Sequence, residues 1–313
     1  MGSISFAQLS AYLNANWLPI IAQIITGFTA FEDLTVLPGI NNEVNIPKIT
    51  TSEFLKPYTG TFEKTDAVAL EDRKLRVDVG QGDLTFEPEA FRREYLGEQL
   101  RPGGRDIPEE QFIFEQLTER AQNTIDQHIV YFGKKEAVVN GDTAVQKARK
   151  ITDGFGTIIA KEVTAANLVP VVTGAITNAN AISKTEAVFK SLSPAVRAKG
   201  GVIYVSEDVY WKYFENYRAE YKTSPIFTGN ELRSKEIVFM YAANWSIRPC
   251  IWMGNSQRII ASAGKNLYMG TDGTSPLTPF KLIDGHYHME FSMKLIMGLQ
   301  IADLDALAVN DQA

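Results

Sequence analysis

The stretch 43–133 constrains the fold of this 313-residue chain most, because a charged two-stranded segment there precedes one long amphipathic helix. The two-stranded segment, taken as 43–80, is too polar to bury a core of its own. A two-stranded ribbon is only marginally stable in water, and its open edges invite pairing with another chain. We therefore expect the segment to lie on a neighbouring copy of the chain, although a solvated surface hairpin fits the same pattern.

Two runs of residues predict the strands of this segment. The first run contains Val44, Ile46 and Ile49 and is broken by Pro47, which suits an edge strand because proline donates no ladder hydrogen bond. The second run has the two-residue period of a strand, with one apolar and one charged side. Leu75, Val77 and Val79 alternate there with Lys74, Arg76 and Asp78.

Mixed charge is concentrated between and within these runs, over 63–74. Complementary charges give a docked segment its register more than they give it affinity. The sequence therefore offers the following candidate assembly contacts: Glu63, Lys64, Glu71, Asp72, Arg73 and Lys74.

The long helix is predicted over 107–132. Asp106 is placed to cap it, Pro108 suits the first turn, and Gly133 ends it. Apolar side chains recur along it at spacings of three, four or seven, which indicates one buried face. They are Phe114, Leu117, Ala121, Ile125 and Phe132.

The first 31 residues carry no charged side chain. Leu9, Leu13 and Trp17 recur every four residues, as in a short amphipathic helix. The apolar stretch 17–31 is shorter than the roughly 20 residues that a membrane span needs, so we expect no membrane association. This uncharged segment packs either on its own domain or on a neighbouring subunit, and in the second case Leu13 and Trp17 are candidate assembly contacts.

Helix and strand patterns alternate after Gly133. Helices are predicted over 185–198 and 207–221, with a short buried strand at 202–205 between them. The mixture indicates the α+β class, with a central sheet region between two parts of another domain. Aromatic side chains mark one side of the second helix: Tyr210, Tyr213, Phe214 and Tyr217.

Composition and motifs exclude several classes of function. The net charge of −6 argues against a dedicated nucleic-acid binder, whose surface would be basic. Cys250 is the single cysteine, which excludes a disulfide framework, and its apolar neighbours favour a buried, inert thiol. The sequence contains no phosphate-binding loop, dinucleotide fingerprint or serine-hydrolase motif. It therefore predicts no catalytic residue, no cofactor and no enzymatic activity.

One constellation near the end of the chain could bind a metal ion. Asp284, His286, His288 and Glu290 alternate along a predicted strand, so their side chains would share one face. Any half-exposed strand shows the same alternation of polar and apolar residues, and we expect no bound metal. A soluble metal-dependent enzyme that uses these residues stays open as an alternative.

The order of the segments along the chain completes the sequence evidence. The informative stretches are VNIPKI at 44–49, DRKLRVD at 72–78, the helix from Ile107, DGF at 153–155, VIYVS at 202–206 and NLYMGTDG at 266–273. Their order resembles that of the major capsid proteins of tailed bacteriophages. These proteins have the Hong Kong 97-type coat fold, which encapsulins share.

The resemblance implies an α+β coat fold with five segments. They are an N-terminal arm at 1–42, an extended loop at 43–80, a peripheral domain at 81–152 with its spine helix at 107–132, an axial domain at 153–279, and a return strand of the peripheral domain at 280–313. Because the chain lacks the long charged helical extension that serves some relatives as a scaffold, a separate scaffolding protein is implied.

The implied function is that of a major capsid protein. Copies of the chain would form pentamers and hexamers of an icosahedral shell that encloses double-stranded DNA and contacts it non-specifically. The implied partners besides the chain itself are the scaffolding protein, a portal and, as an optional further partner, a decoration protein. The implied location is the virion, after assembly in the host cytoplasm. An encapsulin-like compartment that holds a cargo enzyme is the alternative within the same fold.

Overall fold

The computed structural model describes residues 6–51, 57–58, 68–87, 93–97, 108–228, 236–272, 280–285 and 288–312. The α-helices are α1 Phe6–Thr26, α2 Glu109–Thr124, α3 Ala144–Arg149, α4 Phe155–Thr164, α5 Ala181–Ser191, α6 Pro194–Lys199 and α7 Glu207–Tyr221. The strands are β1 Thr35–Pro38, β2 Glu43–Thr51, β3 Val68–Arg76, β4 Asp78–Phe86, β5 Gly201–Val205, β6 Ile237–Val238, β7 Trp245–Pro249, β8 Ile259–Ala263, β9 Leu267–Thr271, β10 Phe280–Asp284, β11 Met289–Ile301 and β12 Leu307–Val309. The predicted α+β class is confirmed.

The main sheet is built on the long strand β11. On one edge of β11, strand β4 pairs antiparallel from Met289↔Phe86 to Met297↔Asp78. On the other edge, β10 pairs with the first part of β11, and β9 pairs with the last part. Strand β1 adds to β9 in parallel, so the beginning and the end of the chain meet in one sheet.

Helices α1 and α2 pack on each other and on the main sheet. Leu9 and Leu13 of α1 and Phe114 of α2 are buried in the same core. The Phe114 ring stacks on Tyr12 with 5.6 Å between ring centroids and meets Phe291 of β11 edge-to-face at 6.0 Å. The uncharged N-terminal segment is thus packed on its own subunit, which is one of the two alternatives that its sequence left open.

A second sheet has the strand order β12-β8-β5-β7-β6. Helix α7 connects β5 to the segment that leads into β6, and helices α5, α6 and α7 contribute to the core on this sheet. Strand β5 pairs in parallel with β7 and antiparallel with β8, which makes it the centre of the sheet. Large side chains fill this core: Ile203, Tyr213, Phe239, Trp245 and Ile247.

Strands β2 and β3 form the predicted hairpin, with antiparallel register from Glu43↔Arg76 to Thr51↔Val68. A small separate core lies at its base: Ile40, Ile46, Leu75 and Val77. The prediction that Val79 shares the buried side of the second run is wrong, since Val79 is exposed. The alternation stops at Val77 because the chain leaves the hairpin there and enters the main sheet as β4.

The hairpin base crosses the main sheet over two glycines. Gly270 of β9 and Gly298 of β11 are direct register partners. A Cβ atom on Gly298 would lie 2.0 Å from the carbonyl oxygen of Arg76, and one on Gly270 would lie 2.9 Å from the Val77 side chain. Only residues without a side chain allow the two layers to approach this closely.

Helix α2 continues as a π-helical turn, Ile125–Ile129, so the helical run falls within the predicted range 107–132. The proposed cap Asp106 lies outside the described residues. Phe114 and Ile125 are buried as predicted. The other three apolar residues of the predicted face are only half-buried: Leu117, Ala121 and Phe132.

The π-helical turn places a carboxylate under the N-terminal segment. The backbone N–H of Val130 donates to the carbonyl oxygen of Ile125 at 3.1 Å. Inside this turn, the buried Asp126 accepts hydrogen bonds from the backbone N–H groups of Thr29 (2.7 Å) and Ala30 (3.1 Å). The carboxylate therefore holds the short 3-10 helix that follows α1 against the long helix.

The close packing of the hairpin base on the main sheet predicts that one added methyl group strongly lowers the stability of the subunit. We expect Gly298→Ala to lower the free energy of unfolding by roughly 1–3 kcal/mol or more, because backbone atoms of the hairpin base would have to move. Gly97→Ala is the control, since a Cβ there meets no atom within 4 Å. Urea denaturation of both variants measures the difference, and equal stabilities would contradict the close packing of the two layers.

Candidate assembly surfaces

Arg73 fastens the hairpin to its own subunit. Its Nε donates to the carbonyl oxygen of Ile301 at 2.6 Å. Its Nη2 donates to Glu162 Oε1 at 2.6 Å and to Gln300 Oε1 at 3.1 Å, and both charged side chains are less than one-fifth exposed. Nε and Nη2 of Arg73 are thus used within the subunit, and a contact of Arg73 with a neighbouring copy stays a prediction.

A second fastening point lies on β2. The Lys48 ammonium group pairs with Asp303 at 2.7 Å and with Asp305 at 2.6 Å, in the turn between β11 and β12. Burial disfavours its charge, but the two carboxylates outweigh burial and raise the pKa of Lys48 above its usual range. Ion pairs with the body of the subunit thus hold both strands of the hairpin at its base.

The structure describes the other charged residues of the hairpin to different extents. Asp72 accepts a hydrogen bond from Asn45 at 3.3 Å, and Lys74 pairs with Glu43 at 3.2 Å, both across the hairpin and both exposed. Glu71 pairs with Lys48 in the β-ladder through its backbone position. Glu63 and Lys64 lie outside the described residues.

The structure also places the two candidate contacts of the N-terminal segment. Leu13 is only 5% exposed and belongs to the main core, so its own subunit covers it, and its contact with a neighbour stays a prediction. Trp17 is half-buried and packs against the same core. The four-residue spacing of Leu9, Leu13 and Trp17 reports a helix face that is largely covered by its own subunit.

The histidine-containing strand is not one strand. Strand β10 ends at Asp284 and β11 begins at Met289, with a turn in which Gly285 N–H donates to the His288 carbonyl oxygen at 2.9 Å. Asp284 pairs with Met289, whereas Glu290 pairs with Ile283.

Since directly paired residues share a face and successive residues alternate, Asp284 and Glu290 point to opposite faces of the sheet. His286 lies outside the described residues, and His288 Nε2 lies 3.5 Å from Glu290 Oε1. The predicted common face is therefore wrong. In the described parts of the chain, no group of three or more His, Cys, Asp or Glu side chains could hold a metal ion.

A buried ion-pair network joins the two sheets, and sequence reasoning missed it. Asp33, the last residue of the 3-10 helix after α1, pairs with Arg248 of β7 and accepts a hydrogen bond from Trp252 Nε1 at 3.2 Å. Arg248 also pairs with Glu236 at 2.5 Å. Burial disfavours the guanidinium charge, but Asp33 and Glu236 outweigh burial and raise the pKa of Arg248.

Cys250 next to this network is buried and free, and burial raises the pKa of its thiol. The predicted burial of the thiol is confirmed, and a thiol buried in apolar surroundings is unreactive. No helix in the described ranges is both long enough and apolar enough to cross a membrane.

Comparison with solved structures gives the fold an independent reference. A chain of the satellite phage P4 procapsid aligns over 97% of this chain and 95% of its own length, with a TM-score of 0.62 and 11% identity. The capsid of the Myoviridae phage XM1 aligns over 91% of both chains, with a TM-score of 0.52 and 13% identity. The chain has the coat fold of tailed-phage capsid proteins.

A further solved structure has the same fold, whereas comparisons based on sequence find no match. The capsid of an empty GTA particle aligns over 90% of this chain and 88% of its own, with a TM-score of 0.54 and 10% identity. No protein-family model matches the sequence, and no curated protein matches it. The coat fold is therefore preserved at identities where sequence comparison alone detects nothing.

The Arg73 contacts predict that hairpin anchoring affects subunit stability. We expect Arg73→Ala to lower the free energy of unfolding by roughly 1–3 kcal/mol, because three hydrogen bonds are lost and Glu162 keeps only its contact with Asn167. Lys74→Ala, one residue away and exposed, should change it by no more than about 1 kcal/mol. Chemical denaturation of the two variants measures the difference, and similar effects would contradict the assigned anchoring role.

The same anchor predicts a pH dependence. Burial would raise the pKa of Glu162, but hydrogen bonds from Arg73 and Asn167 outweigh burial and lower it. A lowered folded-state pKa gives stability that is present above the unfolded pKa of about 4.3 and is lost as pH falls through the folded value. We expect wild type to exceed Glu162→Gln in stability near neutral pH and to lose this advantage in acid.

Thermal denaturation of wild type and Glu162→Gln, from neutral pH to acid below the folded-state pKa of Glu162, tests the expectation. Glu119→Gln, a matched change at an exposed position of α2, controls for the loss of one negative charge. An advantage of wild type over Glu162→Gln that stays constant down to strong acid would show that the Glu162 charge does not stabilise the fold.

Proposed function

We propose that this chain is the major capsid protein of a tailed bacteriophage and forms an icosahedral shell around double-stranded DNA. The observation that carries the proposal is the alignment of nearly the whole chain with a chain of a phage procapsid. Coverage is 97% of this chain and 95% of that chain, so the similarity extends over nearly the whole of both chains.

We assign the coat-protein segments to the observed elements as part of this proposal. The main sheet with α1 and α2 corresponds to the peripheral domain and the arm, and β2–β3 corresponds to the extended loop. The second sheet with α5, α6 and α7 corresponds to the axial domain, whose tips would gather at five-fold and six-fold axes. Strands β9, β10 and β11 then return the chain to the peripheral domain, and β12 adds to the axial sheet.

The proposed partners follow from the same assignment. Copies of the chain would assemble as pentamers and hexamers, and the shell would also hold a portal. The P4 procapsid particle is described as including a size determination (Sid) protein. That description supports a separate assembly-directing protein here. Assembly in the host cytoplasm and non-specific contact with packaged DNA are further parts of the proposal.

Negative-stain electron microscopy of the chain expressed with its neighbouring genes tests the proposal. We expect closed particles of uniform size, and particles from infected cells should contain nuclease-protected DNA. Particles filled with a cargo enzyme in place of DNA would favour an encapsulin-like compartment. A monomeric protein with metal-dependent activity would overturn the capsid proposal.

The exposed hairpin charges provide a prediction for assembly. We expect Lys74→Glu to leave the melting temperature of the isolated subunit nearly unchanged, because single exposed pairs contribute only about 0–1 kcal/mol. It should reduce the yield of closed shells most strongly at low salt, where like-charge repulsion is least screened. Particle yield by sedimentation measures the effect.

Lys147→Glu, an exposed reversal on α3, is the matched control for this test. Normal shells from Lys74→Glu at low salt would remove the exposed hairpin charges from the assembly contacts. Strong unfolding of the Lys74→Glu subunit would show that the charge acts within the subunit.

A further inference from the structure

The second sheet ends in two short segments that extend it beyond its named strands. At one end, Val171 bridges to Asn310 in parallel, next to β12. At the other end, Phe227 bridges to Ile237 of β6. With seven strand positions at about 4.8 Å each, the two segments lie roughly 29 Å apart on opposite edges of one sheet.

The edge next to β12 exposes two valines, Val169 and Val172, which we call the valine edge. Their side chains are 82% and 85% exposed. Val171 N–H donates to Val309 at 2.8 Å, and its carbonyl oxygen accepts from Asp311 N–H at 3.0 Å. Because successive residues of a strand turn their backbone groups to opposite sides, the backbone of Val172 faces away from the sheet.

The edge next to β6 exposes a larger apolar group, which we call the aromatic edge: Trp211, Phe214, Ile226 and Phe227. Trp211 is 52% exposed and Ile226 is 71% exposed. The Phe214 ring lies 5.7 Å from Trp211 and 6.4 Å from Phe227, between ring centroids. The three aromatic side chains therefore form one continuous surface across α7 and the strand segment, and Ile226 is exposed next to it in the chain.

The backbone at the aromatic edge is also directed outwards. Val238 N–H donates to the Ile226 carbonyl oxygen at 2.8 Å, and Thr228 N–H donates to that of Glu236 at 2.9 Å. The backbone groups of Phe227, which lies between the two bonded residues, face away from β6. Both edges of the sheet thus combine exposed apolar side chains with outward backbone groups, the features that allow pairing between chains.

Charged side chains lie beside both edges. Next to the valine edge, the exposed carboxylate of Asp311 accepts from the backbone N–H groups of Thr173 (3.0 Å) and Gly174 (3.3 Å), which fixes its position. Next to the aromatic edge, the exposed guanidinium group of Arg218 lies 5.9 Å from the Phe214 ring.

In the described part of the chain, four carboxylates lie near the aromatic edge. Glu207 and Glu215, one helical turn from Trp211 on either side, are exposed, whereas the other two are paired within the subunit. Asp208 shares the face of α7 with Trp211 and pairs with Lys212 at 2.6 Å. Glu236 pairs with Arg248 at 2.5 Å. The aromatic edge therefore carries charges of both signs, and the two edges match in exposed apolar surface and in outward backbone groups.

We infer that the valine edge of one copy packs on the aromatic edge of the next copy, in a head-to-tail contact that closes a ring. This inference rests on the proposed function and deepens it by naming the surfaces that join subunits within a pentamer or hexamer. A head-to-tail contact needs two different patches on separate sides of the subunit, and such a contact generates rings when its rotation closes. Contiguous exposed apolar surface marks interaction sites, and tryptophan is enriched among the residues that dominate binding.

Cysteine crosslinking tests this pairing directly. The variant Val172→Cys with Ile226→Cys carries one cysteine on each edge, and the native Cys250 is buried. A short bismaleimide added to assembled particles should link successive copies, giving a ladder of covalent oligomers up to the ring size on a denaturing gel. Each single-cysteine variant should give no ladder.

Val172→Cys with Val139→Cys is the matched control, because Val139 is equally accessible to reagent but lies outside both edges. Two results would overturn the inference: normal shells of the Val172–Ile226 cysteine variant without a ladder, or covalent dimers from Val172→Cys alone, which would mean that like edges meet. In both cases the proposed capsid function would stand. Failure of the wild-type chain to form any shell would instead overturn the proposed function, and with it this contact.

Discussion

The close approach of the hairpin base to the main sheet is the contact on which the rest of the structure depends. Because Gly270 and Gly298 face each other in the ladder, the backbone at Arg76 can lie directly on the sheet. Strand β3 must then turn at Val77 to become β4, the partner of β11 along nine residues. Because these two glycines have no side chains, the hairpin base packs on the sheet at this point, and this contact fixes the direction in which the hairpin leaves the subunit.

Buried carboxylates join elements that apolar packing alone would leave free to slide. Asp126 holds the segment after α1 against the long helix, and Asp33 ties the same segment to β7 of the second sheet through Arg248. Removing Arg248 would cost more than losing an exposed pair, because the Asp33 side chain is only 4% exposed and its charge would lose its cationic partner. The N-terminal segment therefore sets the relative position of both sheets, although its own sequence carries almost no charge.

The sequence predicted those elements that are determined by residues close to one another in the chain. The helix predicted over 207–221 coincides with α7, because Ser206 caps it through Val209 N–H and an aromatic face follows at helical spacing. The partners of Arg73 lie 89 and 228 residues away in the chain, so no sequence window could show that its charge is used internally. The strand predicted through His288 failed for a related reason: alternation continues across a tight turn, and the turn at Gly285 reverses the chain without breaking the pattern.

The charges of the hairpin divide into two groups with different physical consequences. Arg73 and Lys48 are mostly covered and hold the base, so salt screens them weakly and they act on the subunit. Asp72 and Lys74 are exposed, so their fields reach a neighbouring copy but fall off within a Debye length of about 8–10 Å at physiological salt. One mixed-charge run thus stabilises the subunit at its covered positions, and in the proposed shell its exposed positions would set register. Reversing the charges of Arg73 and Lys74 together would change subunit stability and shell assembly at once. Single changes at each position separate the effect on stability from the effect on assembly.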